Sequence, residues 1–148
     1  MRIINSRKSL SILIIVAVFM AGMLFYRLSD HGNNIKTISV NGIEFKAEIV
    51  KSEAEMSLGL GKRKSLCRKC AMLFEFSKAG DYSFWMKDME FALDIIWIEG
   101  DRVVYVAENI STDYDKSIRP AIKANRVLEI NAGLSRIYGI VEGTKIQF

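Results

Sequence analysis

Cys67-Arg68-Lys69-Cys70 is the sharpest chemical motif in the chain. Two thiols at this spacing close a local disulfide, exchange electrons with other thiols, or supply half of a metal site. Arg68 and Lys69 favour the thiolate and with it reactivity. Thioredoxin-like enzymes, however, place the motif after a strand and at a helix N-terminus, whereas here the apolar stretch Ala71–Phe76 follows it. A structural zinc needs four ligands. The chain has two cysteines and one histidine, His31, so only dimerisation of two such motifs would complete a site. A structural disulfide between Cys67 and Cys70 is the expectation, with thiol–disulfide exchange as the alternative, and neither metal nor cofactor is expected.

A second set of residues suits binding. Phe84-Trp85-Met86-Lys87, with Phe91 and Trp97, is rich in aromatic side chains. The plain reading is core packing. Strand alternation would bury Phe84 and Met86 and turn Trp85 and Lys87 to the opposite face, where a tryptophan beside a lysine can line a ligand cleft. Arg63, Phe84, Trp85, Lys87, Asp88 and Asp94 are the candidate ligand-binding residues. Asp94 in LDIIWI and Glu129 in VLEIN interrupt otherwise apolar runs. A carboxylate in a half-buried strand needs a partner, which Lys87, Arg63 or Arg126 could supply. If Asp94 and Glu129 converged, they would form an acid/base couple with separated pKa values, making them the candidate catalytic residues. Otherwise they are salt-bridged or solvated. The single histidine leaves no Ser-His-Asp arrangement, and phosphate-binding glycine loops are absent.

These residues must be positioned by a domain built mainly of strands. Thr37–Val40 and Glu44–Val50 flank Asn41-Gly42, a two-residue hairpin signature. Leu93–Glu99 and Arg102–Val106 flank Gly100-Asp101, a second hairpin. Arg126–Asn131 and Thr144–Phe148 read as further strands, and Tyr82–Met86 as extended. A helix over 52–59 is indicated by Ser52 with Glu55 three residues on, a capping box. Another spans about 134–140, between Gly133 and Gly143. The fold class is therefore α+β: a small, mostly antiparallel, barrel-like β domain over 37–148 with one or two short helices.

The N-terminus is different in kind. Leu10 to Tyr26 carries no charge, and 10–28 reads as a transmembrane helix at the short end of the spanning range. It leaves 1–9 as a cytoplasmic N-terminus and 29–36 as a polar linker. Three basic residues precede the run and only Arg27 closely follows, which places the body extracytoplasmic. No small-residue cleavage pair follows the run, so an uncleaved anchor in the cell membrane is expected, and a secreted domain if the segment is cut. Of the net charge of +4, +3 lies in residues 1–35 and +1 in the body. A nucleic-acid module concentrates its basic residues on the folded part, so nucleic acid is not an expected partner.

The order Gly59-Leu60 with Arg63, Met72-Leu73-Phe74, Phe84-Trp85-Met86-Lys87-Asp88, Leu93-Asp94-Ile95-Ile96, then Val127-Leu128-Glu129 with Gly133 and Gly143 resembles the domain of unknown function 192 family, also called uncharacterised protein family 0127. The resemblance covers about 38–148. It departs from the family pattern at Gly61 (usually Met), Ala71 (usually Gly), Asp88-Met89 (usually Asn-Thr) and Ala92 (usually Pro). The resemblance implies a compact β-rich fold and exported or anchored members, and no settled reaction. The resulting expectation is an anchored binding module for a small molecule, envelope polymer or protein, using the Trp85/Lys87 face. The alternatives are a hydrolase using Asp94 and Glu129, a thiol-exchange protein using Cys67 and Cys70, and a purely structural envelope role.

Overall fold

Both residues of the Asn41-Gly42 turn take positive φ, 50° and 78°, the backbone that lets a two-residue turn follow the strand twist. They join β1 (Ile35–Val40) to β2 (Ile43–Val50) with Val40 opposite Ile43. This hairpin opens the second of two units in the computed structural model, Asn34–Phe148, the first being Met1–Asn33. The structure describes residues 16–20 and 34–148. Residues 16–20 are helical with exposed side chains. The remainder of the expected anchor over 10–28, the N-terminal stretch 1–9 and most of the linker with His31 lie outside the described residues. Among the described residues, no helix is long and apolar enough to cross a membrane.

After β2 the capping box forms as its residues require: the Glu55 amide donates to the Ser52 hydroxyl and the Ser52 amide donates to the Glu55 carboxylate. It starts α1 (Glu53–Leu58), which Gly59 ends at φ 53°. That helix is the crossover that lets β3 (Cys70–Gly80) pair parallel to β2, since parallel neighbours cannot be joined by a tight turn. β4 (Leu93–Glu99) and β5 (Arg102–Ile110) form the second expected hairpin, with Gly100 at φ 60°. β6 (Ala124–Asn131) inserts between β3 and β4, antiparallel to both. α2 (Leu134–Tyr138) and the short β7 (Ile146–Gln147) complete the chain.

The sheet order is β5-β4-β6-β3-β2-β1-β7. Its two ends meet, because the Val103 amide donates to Thr144 O, the Gly143 amide to Val103 O and the Ile146 amide to Asp101 O. The result is the expected α+β, barrel-like domain. Alternation splits its apolar residues into two cores. Ile38, Phe45, Ala47, Leu73, Ile96, Ile98, Leu128 and Ile130 fill the interior. Met72, Phe74, Ile95, Trp97 and Val127 point outward, under Leu60, Met86 and Ile118.

Three details depart from the sequence reading. β3 was not anticipated, because residues 71–74 are all buried, two facing in and two out, so the stretch shows no alternation. Tyr82–Met86 contributes a single bridge, Phe84 to Ile118, and the C-terminal strand shrinks to Ile146–Gln147.

Candidate functional site

One row of side chains crosses the outer face of the sheet: Glu48 pairs with Met72, Met72 with Glu129, and Glu129 with Ile95. The row carries two carboxylates with a methionine between them. Arg63 comes from the loop after α1 and grips Glu48 with two hydrogen bonds, 2.8 and 2.9 Å. This bidentate pair consumes the fork of the guanidinium. Glu129 is 5% exposed, and among the described residues nothing bonds its Oε2. Burial pushes its pKa up to about 8, against the opposing charge of Arg63.

Glu129 contributes to the wall of a cavity of about 140 Å³ between α1 and the segment 82–89. The C-terminal half of α1 and Gly59-Leu60 form one side, and Phe74, Phe76, Tyr82, Phe84 and Met89 the others. Aromatic packing holds these walls. Phe74 meets Phe84 edge-on at 4.8 Å, and Phe76 stacks on Tyr82 at 3.5 Å. Trp97, wholly buried behind Phe84, donates its indole N–H to Tyr82 O at 2.9 Å and so fixes the segment from beneath.

Trp85 and Lys87 also line this cavity. The expected alternation is present in part: Met86 is buried and Phe84 half-buried, whereas Trp85 is 59% exposed and Lys87 exposed. Lys87 Nζ lies 5.5 Å from the centre of the Trp85 ring, a cation–π contact. An adjoining depression of about 320 Å³ shares Ser57, Leu58, Trp85 and Lys87 with the cavity and adds Lys62 and Asp88. The backbone here is unusual, because Lys62 and Asp88 both take positive φ, 63° and 59°, and are joined by the hydrogen bond from the Lys62 amide to Asp88 O. Non-glycine residues in this region store strain, and here the hydrogen bond offsets it by tying the post-helix loop to the tryptophan segment. Gly61 is buried in that junction. A Cβ added to it would lie 2.9 Å from Leu58 O, so this chain has no room there for the methionine of the resembled family without a backbone shift.

The structure therefore brings Phe84, Trp85 and Lys87 together at the cavity, Asp88 at its rim and Arg63 beside Glu129. Asp94 is elsewhere. It pairs with Ile130, one step out of phase with the Ile95–Glu129 pair, so the two carboxylates face opposite sides of the sheet. Asp94 points into the barrel, is 0% exposed and accepts three backbone N–H groups, from Asn109, Gly133 and Ser135. Its ligand-binding and catalytic assignments are corrected accordingly: it fastens β4 to β5 and to the start of α2, and the acid/base couple with Glu129 does not form. Arg126, another suggested partner, pairs with Glu75 at 3.2 Å. Glu75 is held below the usual carboxylate range chiefly by Lys51, with Arg126 assisting.

Cys67 and Cys70 form the expected disulfide, with 5.0 Å between their Cα atoms. It closes the turn that enters β3, and Asn131 Nδ2 donates to Leu66 O and Cys67 O from β6. No helix follows the motif, and its residues do not line the cavity. Among the described residues, no three of His, Cys, Asp and Glu gather as metal ligands do. Sequence reasoning missed Glu48 and the roof supplied by α1. The alternation of β2 carries a signal for the first, since Glu48 stands in phase with two exposed residues, Glu44 and Lys46, on the face opposite Phe45 and Ala47.

The family model described as DUF192, Uncharacterized ACR, COG1430, matches residues 36–148. A protein of unknown function from Novosphingobium aromaticivorans DSM 12444 is similar in structure and sequence, with a TM-score of 0.73 and 31% identity over 77% of this chain and 85% of that one. A proposed transcription regulator from Sinorhizobium meliloti 1021 shares the fold, with a TM-score of 0.74 and 21% identity over 78% of this chain and 94% of that one. No curated protein matches the chain.

Proposed function

The chain belongs to the DUF192 family, which brings a fold and no reaction, and from that premise we propose that its β domain is a binding module whose ligand enters the cavity beside α1. The carrying observation is the pairing of an open cavity of about 140 Å³ with a tryptophan left 59% exposed at its wall. Exposing so large an apolar ring costs burial that the domain forgoes, and tryptophans so placed are common anchors in recognition sites. The volume suits a small group, a few times the roughly 30 Å³ share of a water molecule. It suits a side chain or the end of a polymer better than a dinucleotide. Among the described residues, Glu129 is the single carboxyl that lines the cavity, which favours binding over hydrolysis.

The tether belongs to the same reading. The charge-free run from Leu10 to Tyr26 and the basic residues before it support a single-pass anchor that holds the domain outside the cytoplasm. The Cys67–Cys70 disulfide is consistent with an oxidising compartment.

A thermal-shift screen of sugars, peptides, amines and nucleotides identifies ligands, because any compound that binds only the native state raises its apparent stability. Trp85→Ala and Lys87→Ala are each expected to weaken binding of the hits, Trp85→Ala by about tenfold or more, in line with the 1–2 kcal/mol loss of an exposed aromatic anchor. If both variants bind every hit as the native chain does, the face is not the site.

A further inference from the structure

The cavity lining is mostly apolar or aromatic, with Ser57, Ser83, Lys87 and Glu129 as its non-aromatic polar side chains, and among the described residues nothing bonds the buried Oε2 of Glu129. A buried carboxyl oxygen in this condition costs free energy that a donor would recover. Arg63 does not supply one: both its terminal nitrogens donate to Glu48, and it makes no hydrogen bond to Glu129 Oε2. Lys87 is at the mouth, exposed and turned over Trp85, where solvent and salt screen its charge. The walls add a sign preference. Phe74, Phe76, Tyr82 and Phe84 line the walls, and a group that reaches a ring face is attracted if cationic and repelled if anionic.

We infer that the cavity takes a primary alkylammonium group, with its charged end on Glu129 and its methylene stem against the aromatic walls. The inference rests on the binding reading above and names its ligand class. Three N–H donors and a positive charge answer an acid oxygen that lacks a donor, and a straight alkyl stem fits a cavity of about 140 Å³. Because the free carboxyl titrates at about 8, Glu129 enters the reaction protonated at neutral pH. It gives that proton to solvent as the ammonium arrives, and the complex holds a carboxylate–ammonium pair. The charged groups facing it are Arg63 from the loop after α1 and, across Met72, Glu48 on β2. Arg63 opposes the upward shift of Glu129, and the value of about 8 already contains its effect. Lys87 from the 82–89 segment adds a screened charge.

Isothermal titration calorimetry of the full chain in detergent, with n-butylammonium, 1-butanol and n-butanoate as probes, tests this. The expected result is butylammonium binding that tightens about tenfold per pH unit from 6 to 7 and levels off near 8, as linkage to one proton requires. Titrations in two buffers of different ionisation enthalpy should count about one proton released per ligand at pH 6.5. Glu129→Gln should weaken butylammonium by at least about tenfold and flatten its pH dependence. Nα-acetyl-lysine amide separates the sources: binding as tight as butylammonium assigns a lysine side chain of a partner polypeptide, and binding at least tenfold weaker assigns a free small amine. The inference is overturned if butanol or butanoate binds as well as butylammonium, or if binding releases no proton in the native chain, a measurement that needs no variant. A ligand that depends on Trp85 while butylammonium does not bind would overturn the ammonium and leave the binding module standing. The absence of any Trp85-dependent ligand would overturn both.

Discussion

Glu129 and Asp94 are both carboxylates in the middle of apolar strands, and their surroundings give them opposite characters. Asp94 is matched by three backbone amides, whereas among the described residues nothing bonds Glu129 Oε2, and burial raises its pKa to about 8. The consequence for stability has a definite sign. An unfolded glutamate titrates near 4.5, so between that value and about 8 the unfolded chain has given up a proton that the folded chain keeps. Stability contributed by the protonated group is therefore fully present below about pH 4.5 and is lost as pH rises through 8. Glu129→Gln removes the titration without changing the volume. It should flatten this part of the stability curve and leave the variant more stable than the native chain at pH 8.5, by a few kcal/mol at most, the order of magnitude of a shift of several pH units. Denaturant unfolding at pH 5, 7 and 8.5 measures it, and equal pH dependence in the two proteins would show that Glu129 does not carry the proton.

At the scale of elements, Asp94 is a fastener. Its Oδ1 accepts from Asn109 on β5, where the backbone turns to φ 54°, and from Gly133. Its Oδ2 accepts from Ser135 in the first turn of α2. A carboxylate from another strand thus caps a helix whose own N-cap, Gly133, has no side chain to do so. Asp94→Ala would leave three backbone donors without their acceptor, one of them fully buried, and should cost roughly 2–4 kcal/mol. Asp94→Asn keeps one acceptor oxygen and should cost visibly less. Chemical denaturation compares the two, and a loss under about 1 kcal/mol for the alanine variant would contradict the fastening role. α1 works differently. It buries no residue completely, and it is kept in place by the Ser52–Glu55 box and by the parallel crossover it must span. That exposure leaves the C-terminal half of α1 free to form one side of the cavity.

Across the whole molecule, closure of the sheet separates two interiors with different roles. The barrel core is apolar, with the buried Asp94 satisfied by backbone amides. The outer core is incomplete, covered by α1 and irregular segments, and the cavity opens where that cover is thin. The N-terminal run adds the remaining functional expectation at this scale. If it anchors the chain, the full-length protein should stay with the membrane pellet through alkaline carbonate washing, and deletion of residues 10–26 should release the folded domain to the supernatant. A full-length protein extracted by carbonate would contradict the anchor.

Neighbouring residues alone dictate the hairpins, the capped helix, the exposure of Trp85 and Lys87 beside a buried Met86, and the local disulfide. Each depends on residues a few positions apart: Asn41-Gly42 dictates its own turn, Ser52 and Glu55 their own cap, and Cys67 and Cys70 are too close to need the fold to bring them together. The sequence also made Asp94 and Glu129 recognisable as carboxylates in need of an account. What it left undecided was their pairing, because two strands apart in the chain can meet in two phases, and a shift of one residue moves a side chain to the other face. Tertiary structure chose the phase that separates them. It buried β3 on both faces and erased its alternation, and it set Arg63 on Glu48, two strands away from Glu129 on β6. Asp94 became a structural clamp and Glu129 an unpartnered acid at a cavity wall, because only the register of β4, β6 and β3 decides which atoms surround a buried charge.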